Sequence, residues 1–398
     1  MNLPARLPAA ITADPALRAV LAALAPHRAL IVGGAVRNGL LGEPVDDIDI
    51  ATDARPDQVT ALAEAAGLKP VPTGIAHGTV TVVSGGRGFE VTTFRRDVET
   101  DGRRAVVAFS DRIEDDAARR DFTMNALYAD AEGAVLDPVG GLPDLAARRL
   151  RFVGDPDARI TEDYLRILRY FRFHARYGQA GAADAEALAA CARHAAGVEG
   201  LSRERTGAEM RKLLAAPDPS EALRLMDEAG VLERVLPGAD AVAVARLVAV
   251  EPGLCPGPQG ISARPKEGRA VNWPLRLAAL GGADAADRLR LSRDEARVQG
   301  ELRFQGSLAE AAYRLGAVRA MQIAVLRESE GEALRKDWRD QIEFAAGQRF
   351  PIAAADLPHL SGPALGRGLK AAEAAWIESG FLMPAPALID IATAAGAP

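Results

Sequence analysis

Asp47 and Asp49 stand two residues apart in VDDIDIAT, thirteen to sixteen positions after the glycine pair of ALIVGGAVR. In an extended chain side chains alternate faces, so these two carboxylates point the same way while Ile48 and Ile50 point to the opposite, apolar side. Carboxylates this close repel unless a cation sits between them. Oxygen ligands on a rigid strand, with room left for water and phosphate, suit Mg²⁺. Asp46 precedes the alternation and faces away. Glu90, in GFEVTTFRRD, is the candidate for a third carboxylate completing a two-metal site, on a strand expected to pair near the D-x-D strand. Gly33 and Gly34 end the apolar run ALIV, and VRNGLL begins a helix. Backbone N–H groups at such a turn can hold a triphosphate, and Arg37 would add a charge-assisted contact. The pattern is neither a P-loop, which needs a following GK[ST], nor a dinucleotide fingerprint, which needs a third spaced glycine.

Holding these groups together requires a sheet. ALIVGG, HGTVTVVSGG, GFEVTTF, NALYAD and AVLDPVGG read as strands, and PDQVTALAEAAGL as a helix with a glycine stop. The expected fold class is an α/β head with a mixed sheet over residues 1–148, followed by all-α neck, body and tail. From about residue 160 the apolar period is 3.6. TEDYLRILRYFRFHARY reads as one helix with Tyr164, Leu168, Phe171 and Ala175 on a stripe. EALRLMDEAGVLERVLP, WPLRLAALGG and LAEAAYRLGAVRAMQIAVL continue in that manner, with PGLCPGPQGISARPKEG as a linker between helical blocks. The expected divisions are a head over 1–148, a neck over 149–237 and a body and tail over 238–398. No fixed-period repeat is visible.

At 398 residues and 48% hydrophobic content the chain is long enough for two to four packed units. A net charge of −6 argues against a protein coated in nucleic acid. Residues 148–176 depart from that balance, with eight arginines against four acids, and read as a basic stripe able to bind phosphate locally. Cys191 and Cys255 have neither disulfide nor zinc spacing. No basic leader precedes an apolar core and no run approaches eighteen apolar residues, so the expectation is a cytoplasmic protein with no membrane contact. Trp273, Trp338 and Trp376 are expected in the core or at an interface, and His77 has no catalytic role.

GGAVR, the following LLG and DIDIAT resemble the head of the DNA polymerase beta type nucleotidyltransferases, specifically the bacterial and eukaryotic tRNA nucleotidyltransferase and poly(A) polymerase family. HGTV, FEVTTFRRD, RRDFTMNALY, DPVGGLPDL, TEDYLRILR and LSRERTGAEM continue the resemblance in order, over roughly residues 30–237. It implies a template-independent enzyme that adds CMP, CMP and AMP to the tRNA 3′ acceptor end from CTP and ATP. By it, Asp47 and Asp49 are metal ligands, with Glu90 near the attacking 3′ hydroxyl. Arg119, Arg120 and Asp121 match an arginine-arginine-aspartate element, implying triphosphate contacts from an arginine and ribose 2′-hydroxyl recognition by the aspartate. Asn125 and Arg169, in the same matched elements, are carried over as nucleotide-site residues. Asp163 and Arg166 match the pair that reads the incoming base. Asn38 departs from the family, which usually carries an aspartate there.

Asp163 and Arg166, at i and i+3, are expected on one helical face, so an acceptor and a donor array stand side by side. Cytosine and adenine each offer an amino donor beside a ring acceptor and fit; uracil and guanine present the reverse. Mismatched buried polar groups cost on the order of 1–3 kcal/mol each, enough for strong exclusion of UTP and GTP. Residues 95–116 resemble the family's flexible loop required for the switch from C to A. The arginine-rich helix and those after it would contact tRNA phosphates, reading shape rather than sequence. The alternatives are a poly(A) polymerase sharing the head, an enzyme adding only CC or only A, and a non-catalytic tRNA-binding homologue.

Overall fold

The computed structural model describes residues 3–101, 104–251 and 272–397. They divide into two compact units, one holding the described chain up to Ala239 together with Gly282–Arg290, the other the remainder from Asp240.

The strands of the first unit are β1 (Ala29–Val32), β2 (Asp49–Thr52), β3 (Lys69–Gly74), β4 (Thr79–Ser84), β5 (Arg87–Thr93), β6 (Arg95–Asp101), β7 (Arg104–Phe109), β8 (Tyr128–Ala129) and β9 (Val135–Leu136). Seven of them form one sheet in the order β3-β4-β5-β2-β1-β8-β9. β2 runs parallel to β5 and antiparallel to β1, so the sheet is mixed, as expected. β1 is apolar on both faces, with Leu30, Ile31 and Val32 buried, the pattern of a strand covered on each side. β3, KPVPTG, was not among the expected strands. Its two prolines lack N–H donors and are accommodated because β3 lies at the sheet edge.

Around the sheet lie α1 (Ala9–Thr12), α2 (Pro15–Ala23), α3 (Gly34–Leu41), α4 (Pro56–Ala65), α5 (Ile113–Ala118) and α6 (Gly141–Ala146). The charged segment 95–116 is the hairpin β6–β7 followed by the start of α5; residues 102 and 103 lie outside the described ones.

The helical part continues with α7 (Pro156–Glu162), α8 (Leu165–Tyr177), α9 (Ala185–Arg193), α10 (Arg203–Leu214), α11 (Ser220–Glu228) and α12 (Val231–Val235). TEDYLRILRYFRFHARY is therefore not one helix. Asp163 is extended, φ −156° and ψ 104°, and separates α7 from α8. α8 buries Ile167, Leu168, Tyr170, Phe171, Phe173, His174 and Tyr177. Phe122 packs at a tilt against Phe152 and Phe173 with ring centroids 5.0 and 5.3 Å apart, which seats α8 beside the RRDF segment.

The second unit is helical, with Ala241–Val250, Trp273–Leu280, Ala317–Ser329, Gly362–Glu378 and Ala385–Gly396 among its helices. Its core joins Leu247, Leu275, Ile323, Ile342 and Leu388 to Trp338 and Trp376. The linker PGLCPGPQGISARPKEG and Cys255 lie outside the described residues. Among the described residues no helix is long and apolar enough to cross a membrane.

Candidate active site

Strand register builds the centre of the site. Asp49 pairs with Glu90 on one side and with Val32 on the other, and Val32 pairs in turn with Tyr128. Residues opposite one another on neighbouring strands point to the same face, so Glu90, Asp49 and Tyr128 share one row. Ile48 and Ile50 are buried while Asp47 and Asp49 are accessible, which is the alternation expected, although Asp47 itself lies just ahead of β2. Burial and then the Glu90 carboxylate raise the Asp49 pKa; Asp47 adds to this and Arg120 opposes it. Among the described residues no three metal-ligating side chains converge closely enough to hold an ion alone. An accessible carboxylate pair with Glu90 beside it fits a hard cation that keeps water and phosphate oxygens as its remaining ligands, as Mg²⁺ does.

The glycine turn lies next to this row, since Gly33 follows Val32. Gly33 has φ +70° and ψ −121°, a conformation that side chains resist. A Cβ there would lie 3.4 Å from Arg120 Nη1 and 3.7 Å from the Asn125 carbonyl oxygen. No side chain caps α3, which leaves its first N–H groups open to an anion. Arg120, whose charge acts on Asp49, thus lies against the glycine turn. Arg119 and Arg120 both bond Asp116, a buried aspartate to which sequence reading assigned no role. Its spacing was a readable signal, because residues three and four apart meet on a helix face.

Arg37 is tied into the fold rather than left free for a ligand. Its guanidinium is 6% exposed and bonded to three side chains, with Nη2 3.7 Å from where a Cβ on Gly34 would lie. Nη1 donates to Asn125 Oδ1, Nη2 to the Tyr177 hydroxyl at 2.7 Å, and Nη2 and Nε to Asn38 Oδ1 at 2.9 and 3.1 Å. It also stacks 4.0 Å above the Tyr177 ring. Burial lowers its pKa, against the raising influence of Tyr177 and Asp121. Asn38 supplies the acceptor a family aspartate would supply, and its Nδ2 also donates to the Pro44 carbonyl at 2.9 Å, which a carboxylate does not do.

The base-reading pair corrects an expectation. Asp163 is not on a helix face with Arg166, because the chain is extended at Asp163. Its Oδ2 accepts from Arg205 Nη2 at 2.6 Å and its Oδ1 from the Leu165 N–H at 3.1 Å. Arg166 bonds Glu162 and, at 2.6 Å, the Arg159 carbonyl. Arg205 lies in LSRERTGAEM, 42 residues beyond Asp163, and nothing local marked it as a partner. Asp121 is likewise occupied, accepting from Phe122 N–H at 2.8 Å, Asn125 Nδ2 at 3.0 Å, Arg169 Nε at 2.8 Å and Arg169 Nη2. A ribose hydroxyl donating to Asp121 must displace one of these. Burial would raise the Asp121 pKa, but the Arg169 charge and these bonds hold it below the ordinary value.

The basic stripe is also not what the composition suggests. Each of its eight arginines has an acidic partner: Arg148 and Arg176 meet Glu43, Arg149 and Arg151 meet Asp144, Arg159 and Arg166 meet Glu162, Arg169 meets Asp121, and Arg172 meets Glu209. Acids outside the segment, Glu43, Asp121, Asp144 and Glu209, supply most of the balance. A cavity of about 930 Å³ lined by Arg203, Thr206, Arg234 and Asp287 shares no residue with the site. Two of its arginines are paired, Arg203 with Asp287 and Arg234 with Glu199.

The family described as Poly A polymerase head domain matches residues 29–151, and that described as probable RNA and SrmB-binding site of polymerase A matches residues 183–242. A mitochondrial CCA tRNA nucleotidyltransferase 1 from Danio rerio is 42% identical over 205 residues, covering 51% of this chain and 48% of that protein. The CCA-adding enzyme of Geobacillus thermodenitrificans is 44% identical over 214 residues, covering 53% and 51%. The match thus spans about half the length of these curated relatives. The structure of the Bacillus stearothermophilus CCA-adding enzyme in complex with CTP superposes with a TM-score of 0.66 and 30% identity, over 95% of this chain and 91% of that one.

Proposed function

The chain belongs to the tRNA nucleotidyltransferase and poly(A) polymerase family, and from that premise we propose that it adds C, C and A to the 3′ end of tRNA from CTP and ATP, releasing pyrophosphate. Residues 1–148 carry the chemistry, 149–237 read the base, and 238–398 contact the acceptor arm of the tRNA, in the cytoplasm. The observation that carries this reading is the single row in which Glu90 flanks Asp49 beside the Gly33 turn and Arg120.

The triphosphate sits on the open N–H groups of α3, with Arg119 and Arg120 alongside. Enzymes of this family generally depend on a divalent metal; we assign Mg²⁺, held by Asp47 and Asp49. When bound, it lowers the pKa of the attacking hydroxyl and neutralises the departing pyrophosphate. The primer's 3′ oxygen forms the new bond to the α-phosphorus as the bond to the β-phosphate breaks. Glu90 orients the hydroxyl that loses its proton. Asp163 and Arg166 read the cytosine or adenine edge, Asp163 while Arg205 holds its carboxylate and Arg166 after exchanging Glu162 for the base. Asp121 takes the ribose hydroxyl by the same kind of exchange.

Single-nucleotide extension of tRNA transcripts ending in the discriminator base, in C and in CC, with Mg²⁺ and each NTP separately, tests this reading. Ordered addition of C, C and one A is expected. Repeated A addition without C incorporation points instead to a poly(A) polymerase, and no incorporation of any nucleotide to a binding protein.

A further inference from the structure

A guanidinium on a long stem is a poor anion site unless something fixes its plane. Asp116 does so for two of them, from a side chain that is 1% exposed. Its Oδ1 accepts from Arg119 Nε and Nη2 at 2.9 and 2.7 Å. Its Oδ2 accepts from Arg120 Nη2 and Nε at 3.0 and 3.3 Å and from the Tyr128 hydroxyl at 2.7 Å. The same hydroxyl accepts from Arg120 Nε at 3.1 Å. Tyr128 is fully buried in the row that holds Asp49 and Glu90, so the sheet itself anchors the cluster.

In both arginines the edge formed by Nε and Nη2 is spent on the carboxylate, which leaves the Nη1 edge for another acceptor. In Arg120 that edge lies at the glycine turn, with only a long 3.5 Å contact to the Asn125 carbonyl. Both side chains retain a solvent-facing part, 17% for Arg119 and 21% for Arg120. One carboxylate cannot neutralise two guanidinium groups, so the cluster keeps a positive charge beside the turn. Arg169 and Arg172, each with a carboxylate of its own in Asp121 and Glu209, are compensated singly and have less to offer an anion.

We propose that Asp116, supported by Tyr128, is a positioning residue that presents the Nη1 edges of Arg119 and Arg120 to the polyphosphate chain of the incoming nucleotide. This rests on the nucleotidyltransferase reading of the site. Asp116 exchanges no atom with the substrate and acts through the two arginines.

The effect must grow with the number of phosphates, which separates positioning from a general role in folding. Equilibrium titration of the full chain with CTP and with CMP, in Mg²⁺, gives the preference for the triphosphate, and thermal unfolding monitors the fold. Asp116→Asn should reduce that preference about tenfold and Tyr128→Phe about threefold, with CMP affinity unchanged, as expected when charge-assisted contacts lose their alignment. A folded Asp116→Asn with the wild-type preference overturns the inference, as does parallel loss of CTP and CMP affinity. If Asp116→Asn does not fold, Tyr128→Phe decides in the same two ways. A wild-type chain that binds CTP no better than CMP overturns the functional reading itself, and this inference with it.

Discussion

Burial pushes the pKa of both Asp49 and Asp121 upward, but their neighbours then act in opposite directions. Asp49 meets Glu90 and Asp47 and stays raised; Asp121 meets Arg169, Asn125 and the Phe122 N–H and ends lowered. The carboxylate row of the head is left short of positive charge, while each arginine of the neck has an acidic partner, with Glu43, Asp144 and Glu162 each serving two. Unmatched charge of one sign at an accessible strand end marks where a cation and a polyphosphate belong. Matched charge marks where geometry is being held. A count of arginines in the sequence does not distinguish the two.

The largest expected effect breaks the row. Asp49→Asn should lower nucleotide addition by about a thousandfold, the scale of several kcal/mol of lost charge stabilisation. Stability should move the other way. Because the folded pKa of Asp49 is raised, its ionised form disfavours the fold, and that penalty vanishes as pH falls below the ordinary aspartate value of 3.8. Asp49→Asn should therefore unfold at higher urea than wild type at pH 7, and the gain should disappear in acid. A variant less stable than wild type at pH 7 would show that Asp49 belongs with the matched charges.

Arg37 tests the opposite case, a buried charge whose bonds are all made. Arg37→Met should cost about 3 kcal/mol in urea unfolding, since it leaves Asn38, Asn125 and Tyr177 without their shared donor. Arg37→Lys should recover little of this, because an ammonium cannot stack on Tyr177 while bonding three partners. A loss below about 1 kcal/mol would remove Arg37 from the structural class and return it to the phosphate.

Smaller effects sharpen the boundary within the neck. Arg205→Ala frees Asp163 from its partner and should weaken discrimination of CTP over UTP by about tenfold in extension assays, with little change in the CTP rate. Equal discrimination in the variant would mean that Asp163 does not need Arg205 to hold its place. At the low end, the Arg176–Glu43 contact is 3.4 Å long and its arginine is 44% exposed. Arg176→Gln should change unfolding by no more than about 0.5 kcal/mol.

Local signals carried a large part of the molecule. The alternation in DDIDIAT, the glycines after ALIV and the 3.6 period beyond residue 160 depend on neighbours within a few positions, so the element types, the facing of Asp47 and Asp49, and the glycine turn were legible in the sequence. The ordered motifs added the family. The prolines in KPVPTG hid a strand, because whether proline is tolerated depends on lying at an edge, which is a property of the sheet.

Tertiary structure decided everything that depends on what a charge faces. Register placed Glu90 beside Asp49 across forty residues of sequence, and no pattern in either strand specifies that pairing. Arg37 turned inward because Asn125 and Tyr177, 88 and 140 residues away, close around it. The break at Asp163 gave it to Arg205 and left Arg166 to Glu162, against the spacing that seemed to join them. A residue type states which bonds a side chain can make; which of them it makes is settled by the acceptors and donors that folding brings within reach.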